Sequence, residues 1–195
     1  MACSRRRIER DQVVRNAGVA FLFLGALGMV FSFIAPSTGD AGLVRHGMDG
    51  ISNLLLALSF ACFGVYINMG SDRRFSISAL LVNALFIGLT GLCLFIAFTT
   101  LSDVAGDVQD GPKGVCVASY EEVLDRNGGG RVSSFTPDEY EVDLFERLGD
   151  DVPVAHISVK RSEWPKVLSE LTSAEVGSKV LFYPRTQVFL GIEKE

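Results

Sequence analysis

With 195 residues, 48% of them hydrophobic and 21% charged, and a net charge of −5, the chain has room for one or two domains. Its charge distribution selects two: residues 1–102 carry eight Arg against five acids (+3), and residues 103–195 carry ten Lys or Arg against eighteen acids (−8), returning −5. An acidic second half repels phosphate backbones, which argues against nucleic acid as a partner.

Of the four cysteines, Cys62 and Cys93 lie in apolar runs, Cys3 precedes the first run, and Cys116 stands alone in the acidic half. That half therefore has no internal disulfide, and Cys116 is expected as a buried strand cysteine.

The basic segment 1–15, with Arg5, Arg6, Arg7, Arg10 and Arg15, precedes an uncharged run over 16–35. The run is too long for a typical signal-peptide core and Pro36 follows it, so an uncleaved membrane helix is expected. Residues 36–50, with Gly39, Gly42 and Gly47, read as a loop. A second apolar run covers 51–70, and Asp72-Arg73-Arg74 forms a tight turn into the third, 75–102, which has no Asp, Glu, Lys or Arg. At about 1.5 Å per residue, 28 helical residues reach roughly 42 Å, more than the roughly 30 Å of hydrocarbon to be crossed. The expected fold is thus a membrane all-α bundle of three transmembrane helices, followed by a small α+β extramembrane domain with a mixed or antiparallel sheet.

Basic residues in the short flanks set the orientation. Five Arg in the N-terminal segment and two in the second turn oppose Arg45 and Lys113. This bias places the N-terminus in the cytoplasm and the C-terminal domain on the periplasmic, extracellular or lumenal side of a plasma or inner membrane.

The spans carry no Lys, Arg, Asp, Glu or His, the groups expected of proton relays, ion sites and haem ligation. They carry small and amide residues at helical spacing: Gly18, Gly25, Gly28 and Ser32 on the first, Asn53, Ala57, Ala61, Gly64 and Asn68 on the second, and Ala84, Gly88 and Gly91 on the third. Such faces let backbones approach closely and let Asn bond across, so they are helix-packing faces, within this chain or against other membrane protein subunits. Ten Phe in the spans face lipid or line a site for lipid, quinone or pigment; no polar group converges to orient a headgroup, and no cofactor is expected.

Residues 103–114, with Asp103, Asp107, Asp110, Gly111 and Pro112, read as a linker to an exported domain over 115–195. Val115-Cys116-Val117 is a strand candidate. Ser119 with Glu122 is a capping box for a short helix through Arg126, ended by Gly128-Gly129-Gly130. Thr136-Pro137-Asp138-Glu139 opens a second helix with Tyr140, Leu144, Phe145 and Leu148 on one face, ended by Gly149. Val154–Val159 alternates as a half-buried strand that turns His156 outward. Ser162–Leu171 is a helix, and 180–192 a hairpin about Pro184-Arg185-Thr186.

Candidate chemistry is thin. A Cys116–His156 hydrolase dyad lacks an oxyanion loop and an orienting group. Zinc wants four Cys or His ligands where the domain has two, the run from Asp125 lacks the twelfth-position Glu of a calcium loop, and the acids of the 138–146 helix diverge around it. The glycine triplet lacks the Lys-Ser or Lys-Thr of a phosphate loop. Trp164, the sole tryptophan, either covers the core or anchors a partner. The expectation is a non-catalytic accessory or structural subunit of a membrane complex in the lipid bilayer. A membrane-tethered sensor is the alternative.

Overall fold

The computed structural model describes residues 2–70, 77–123, 139–147, 152–173 and 178–193. Three long apolar helices, α1 (Ala2–Ile34), α2 (Gly39–Gly70) and α3 (Ile77–Asp110), precede, among the described residues, six short strands and one further helix. Each is long and apolar enough to cross a membrane. Two compact units result: Met1–Ser32 with Met48–Leu101, and Phe33–Gly47 with Ser102–Glu195.

α1 stops at Ile34 because Ala35 precedes Pro36, whose ring disfavours helical backbone before it. Residues 36–50, expected as loop, are helical from Gly39, which takes a φ of 67°. Residues 103–114, expected as linker, stay helical to Asp110, since nothing before Gly111-Pro112 stops a helix. Gly111 (φ 74°) donates its N–H to the Asp107 carbonyl at 2.9 Å, the left-handed cap that closes α3.

In the first unit α1 and α2 run antiparallel with glycines at the crossing. A Cβ added at Gly18 would lie 3.1 Å from Cβ of Cys62, one at Gly25 would lie 3.1 Å from Leu56 and 3.2 Å from the Ser52 carbonyl, and one at Gly28 would overlap the Ser52 hydroxyl. Ser59 Oγ donates to the Gly18 carbonyl at 2.8 Å, completely buried. α2 meets α3 where the Phe60 and Phe86 rings pack tilted with centroids 6.4 Å apart and where Asn68 and Asn83 exchange two amide hydrogen bonds of 2.8 and 2.9 Å. Between the two lies an open groove of about 500 Å³ that includes Ala61, Gly64 and Gly91. The α1–α2 geometry makes a direct prediction. Gly18→Cys should form an intramolecular disulfide with Cys62 under mild oxidation, since the 3.1 Å Cβ separation falls a few tenths of an ångström short of the usual 3.5–4.5 Å and needs only a small outward shift. Non-reducing gel mobility checks it, and failure to cross-link would refute this packing.

In the second unit, β1 (Lys113–Cys116), β5 (Lys179–Phe182) and β6 (Phe189–Glu193) form one antiparallel sheet in the order β1-β5-β6, and β2 (Ser119–Val123), β3 (Glu139–Phe145) and β4 (Ala155–Lys160) form another in the order β2-β3-β4. β1 runs into β2 through Val117-Ala118, where the chain changes partners: Val117 N–H bonds Ser178 and Ala118 N–H bonds Phe145. A parallel bridge between Ser158 and Val188 joins β4 to β6. Counting β1 and β2 as one bent strand, the order closes on itself, with α4 (Trp164–Ser173) between the third and fourth strands. This is the connectivity of a five-stranded Greek-key barrel of the OB type, a topology that carries no function by itself. Its core joins Val142, Leu144, Ile157, Val159, Val180 and Phe182 to Trp164, Val167 and Leu171 of α4.

Two expected helices are strands. Residues 119–123 form β2, and 139–145 form β3. The reason is visible in β3: Tyr140, Val142 and Leu144 alternate with Glu141 and Asp143, and pairing with β2 and β4 buries Val142 and Leu144 completely. Tertiary pairing overrides the local helix-start signals. Thr136–Asp138, the glycine triplet, Leu148, Gly149 and the Asp72–Arg74 turn lie outside the described residues. The expected hairpin, strand 154–159 and helix 162–171 appear as β5–β6, β4 and α4.

Candidate functional site at the helix ends

The most heavily bonded polar groups of the second unit hold its barrel to helix termini. Strand alternation should turn Lys160 outward, yet it is only 7% exposed, because residues 33–38 cover it. Its ammonium donates to the carbonyls of Phe33, at 2.8 Å, and Ala35. These are carbonyls that the end of α1 leaves without helical partners, and a cation suits that end of the helix dipole. Three residues on, Glu163 takes the opposite terminus. Its carboxylate accepts the Ser37 N–H at 3.0 Å, the Ser37 hydroxyl at 3.1 Å and the Thr38 hydroxyl at 2.9 Å, just before α2 begins. An anion there suits the positive end of α2. Ser37 Oγ also accepts the Lys160 backbone N–H at 2.8 Å. One tight turn thus carries a cation for one helix end and an anion for the next.

Asp107 is completely buried in the last turn of α3. Its Oδ1 accepts the Arg185 N–H at 3.0 Å, and Oδ2 accepts the Thr186 N–H and hydroxyl, both at 2.7 Å. The Arg185 guanidinium reaches Asp110 at 2.9 Å. Gly106 permits this, since a Cβ there would overlap the guanidinium. Gly42 likewise permits close approach of Val188, which a Cβ would meet at 2.7 Å. Tyr183 points its hydroxyl at Asp40, 3.4 Å away; burial, and then the Asp40 carboxylate, raise its pKa, so the phenol keeps its proton.

The residues singled out from sequence fall as follows. Gly18, Gly25, Gly28 and Ser32 are buried, and Ala57 is completely so. Asn53 bonds back to the Asp49 carbonyl, Gly64 contacts Phe86, and Asn68 meets Asn83. Ala61 and Ala84 are exposed, and nothing lies within 4 Å of a Cβ built on Gly88 or Gly91. Trp164 is 7% exposed, its ring 5.6 Å from that of Tyr140, inside the core. Cys116, expected buried, is exposed on β1 and pairs across to Lys179. His156 faces outward on the other sheet and bonds Asp143 at 2.5 Å, so the structure does not make Cys116 and His156 cross-strand neighbours.

Sequence reasoning missed Ser52 and Ser59, which the α1 glycines face, and all of the helix-end anchors. Asp103, Asp107 and Asp110 did carry a signal, since i, i+4, i+7 is helical spacing. Lys160 and Glu163 carried none, because their partners lie more than 120 residues away. No family model matches this chain, and neither a curated protein nor a solved structure matches it.

Proposed function

We propose that this chain is a three-span membrane protein serving as a non-catalytic accessory or structural subunit of a larger membrane complex, with its barrel domain on the exported side. The observation that carries the reading is the uncovered face of α3. α1 spends its small residues on α2, whereas Gly88 and Gly91 of α3 adjoin open space, and Ile87, Phe95 and Phe98 are 73%, 66% and 75% exposed. Glycine on an apolar helix has value where another backbone approaches, and on α3 that backbone is supplied by a partner. Three crossings return the first interhelical segment and the C-terminal domain to one side of the bilayer. The bonds from Lys160 and Glu163 to residues 33–38 join those two parts, in keeping with that topology. The excess of arginine before the first span makes it the exported side.

Purification of the full chain from its native membrane in mild detergent tests the reading. A co-eluting membrane protein, lost on Gly88→Leu/Gly91→Leu substitution, is expected. A monodisperse free monomer would overturn it.

A further inference from the structure

The turn at Pro184–Gln187 has the chemistry of an anion receptor. Two successive backbone N–H groups, those of Arg185 and Thr186, converge with the Thr186 hydroxyl on one carboxylate, and the Arg185 guanidinium holds a second. Consecutive N–H groups with a hydroxyl and a guanidinium nearby are the donor set that binds phosphate and carboxylate elsewhere. The occupants here are Asp107 and Asp110, both on the last turn of α3.

We propose that this turn is an oxyanion-binding site which the chain fills with its own α3 carboxylates, so that the end of α3 is a tethered ligand standing where a phosphate-type anion would otherwise bind. The site is assembled independently of α3's side chains. Tyr183 N–H bonds the Val188 carbonyl at 2.9 Å across the base of the turn, β5 and β6 pair on either side, and Gln187 holds a φ of 57°, so the donors keep their direction if the carboxylates are removed. Tethering gives Asp107 a high effective concentration, which keeps free anions out of the intact protein. The domain's acidity and the neighbouring Asp40 oppose a free anion, so recognition must come from the three donors that converge on Asp107 and the guanidinium that holds Asp110, and not from long-range attraction.

The test removes the tethered ligand and supplies a free one. Full-length Asp107→Ala in an uncharged detergent should lose stability, read from Trp164 fluorescence on heating, and inorganic phosphate should restore it saturably, by roughly 5 to 10 °C at 100-fold excess over its Kd. Wild type, and Asp107→Ala in chloride of equal ionic strength, should show no saturable gain. Asp110→Ala leaves the Asp107 bonds in place and frees only the guanidinium. It should gain stability with phosphate, and Asp110→Ala/Arg185→Ala should not. A second arm places Asp107→Ala in nanodiscs without phosphate: restoration by phosphatidylglycerol but not phosphatidylcholine identifies a lipid headgroup as the source, and restoration by phosphate alone identifies a free anion. If neither anion source stabilises Asp107→Ala or Asp110→Ala, or if chloride does so equally, the turn is a structural clamp and the proposal is wrong.

Discussion

Lys160→Met is expected to destabilise the barrel domain by about 3 kcal/mol, measured as a lowered urea midpoint of Trp164 fluorescence in micelles. Trp164 suits the purpose because it is the only tryptophan and lies in the core that α4 covers. Methionine retains the packing of the lysine stem, so the loss isolates the ammonium. What is lost is two charge-assisted bonds, to Phe33 and Ala35, and what remains is carbonyl groups that a helix end cannot satisfy itself. A charge exchange separates this arrangement from an ordinary ion pair. In Lys160→Glu/Glu163→Lys the local charge sum is unchanged, but each side chain now meets a helix terminus of its own sign. Because helix polarity is fixed, the double variant should be at least as unstable as Lys160→Met. Recovery to wild-type stability would show that the helix ends are not what these residues read.

Asp107→Asn is expected to cost about 3 kcal/mol by the same measurement, although it changes shape hardly at all. The carboxylate answers three donors in a completely buried position. An amide offers one oxygen and turns an N–H₂ toward the remaining donors, leaving buried N–H groups without acceptors. Asp110→Asn is the internal control. Asp110 and Arg185 are 44% and 47% exposed at their side chains, so solvent screens the pair, and its loss should cost at most about 1 kcal/mol. Equal losses in the two variants would mean that burial of Asp107 does not govern its contribution.

The contrast between these residues and the helices shows what a sequence records locally. Three long apolar runs announce themselves by composition, and the row Gly18, Gly25, Gly28 is visible as spacing alone. Where one residue must be read against others far along the chain, local pattern misleads. Tyr140-Glu141-Val142-Asp143-Leu144 satisfies strand alternation, but the proline and acids just before it resemble a helix start, and only pairing with β2 and β4 decides the matter. Ser119-Tyr120-Glu121-Glu122 was ambiguous in the same way. The helix-end anchors were illegible for a stronger reason. Nothing within ten residues of Lys160 or Glu163 points to the ends of α1 and α2, which lie 123 to 127 positions earlier. Asp107 lies between these cases, since its helical spacing was present but the aspartates, glycines and proline around it suggested a linker.

The join between residues 33–38 and the turn at 160–163 also sets an order of events during synthesis. At ribosomal rates of about 5–20 residues per second, the segment Phe33–Thr38 is synthesised roughly 6 to 25 s before Lys160 and Glu163 exist. Through that interval the first hairpin of the nascent chain has open carbonyls at one terminus and open N–H groups at the other, with water or an assisting factor as their only partners. Maturation of this protein therefore waits on its last third, and a chain truncated before residue 160 would carry a hairpin without the groups that close it.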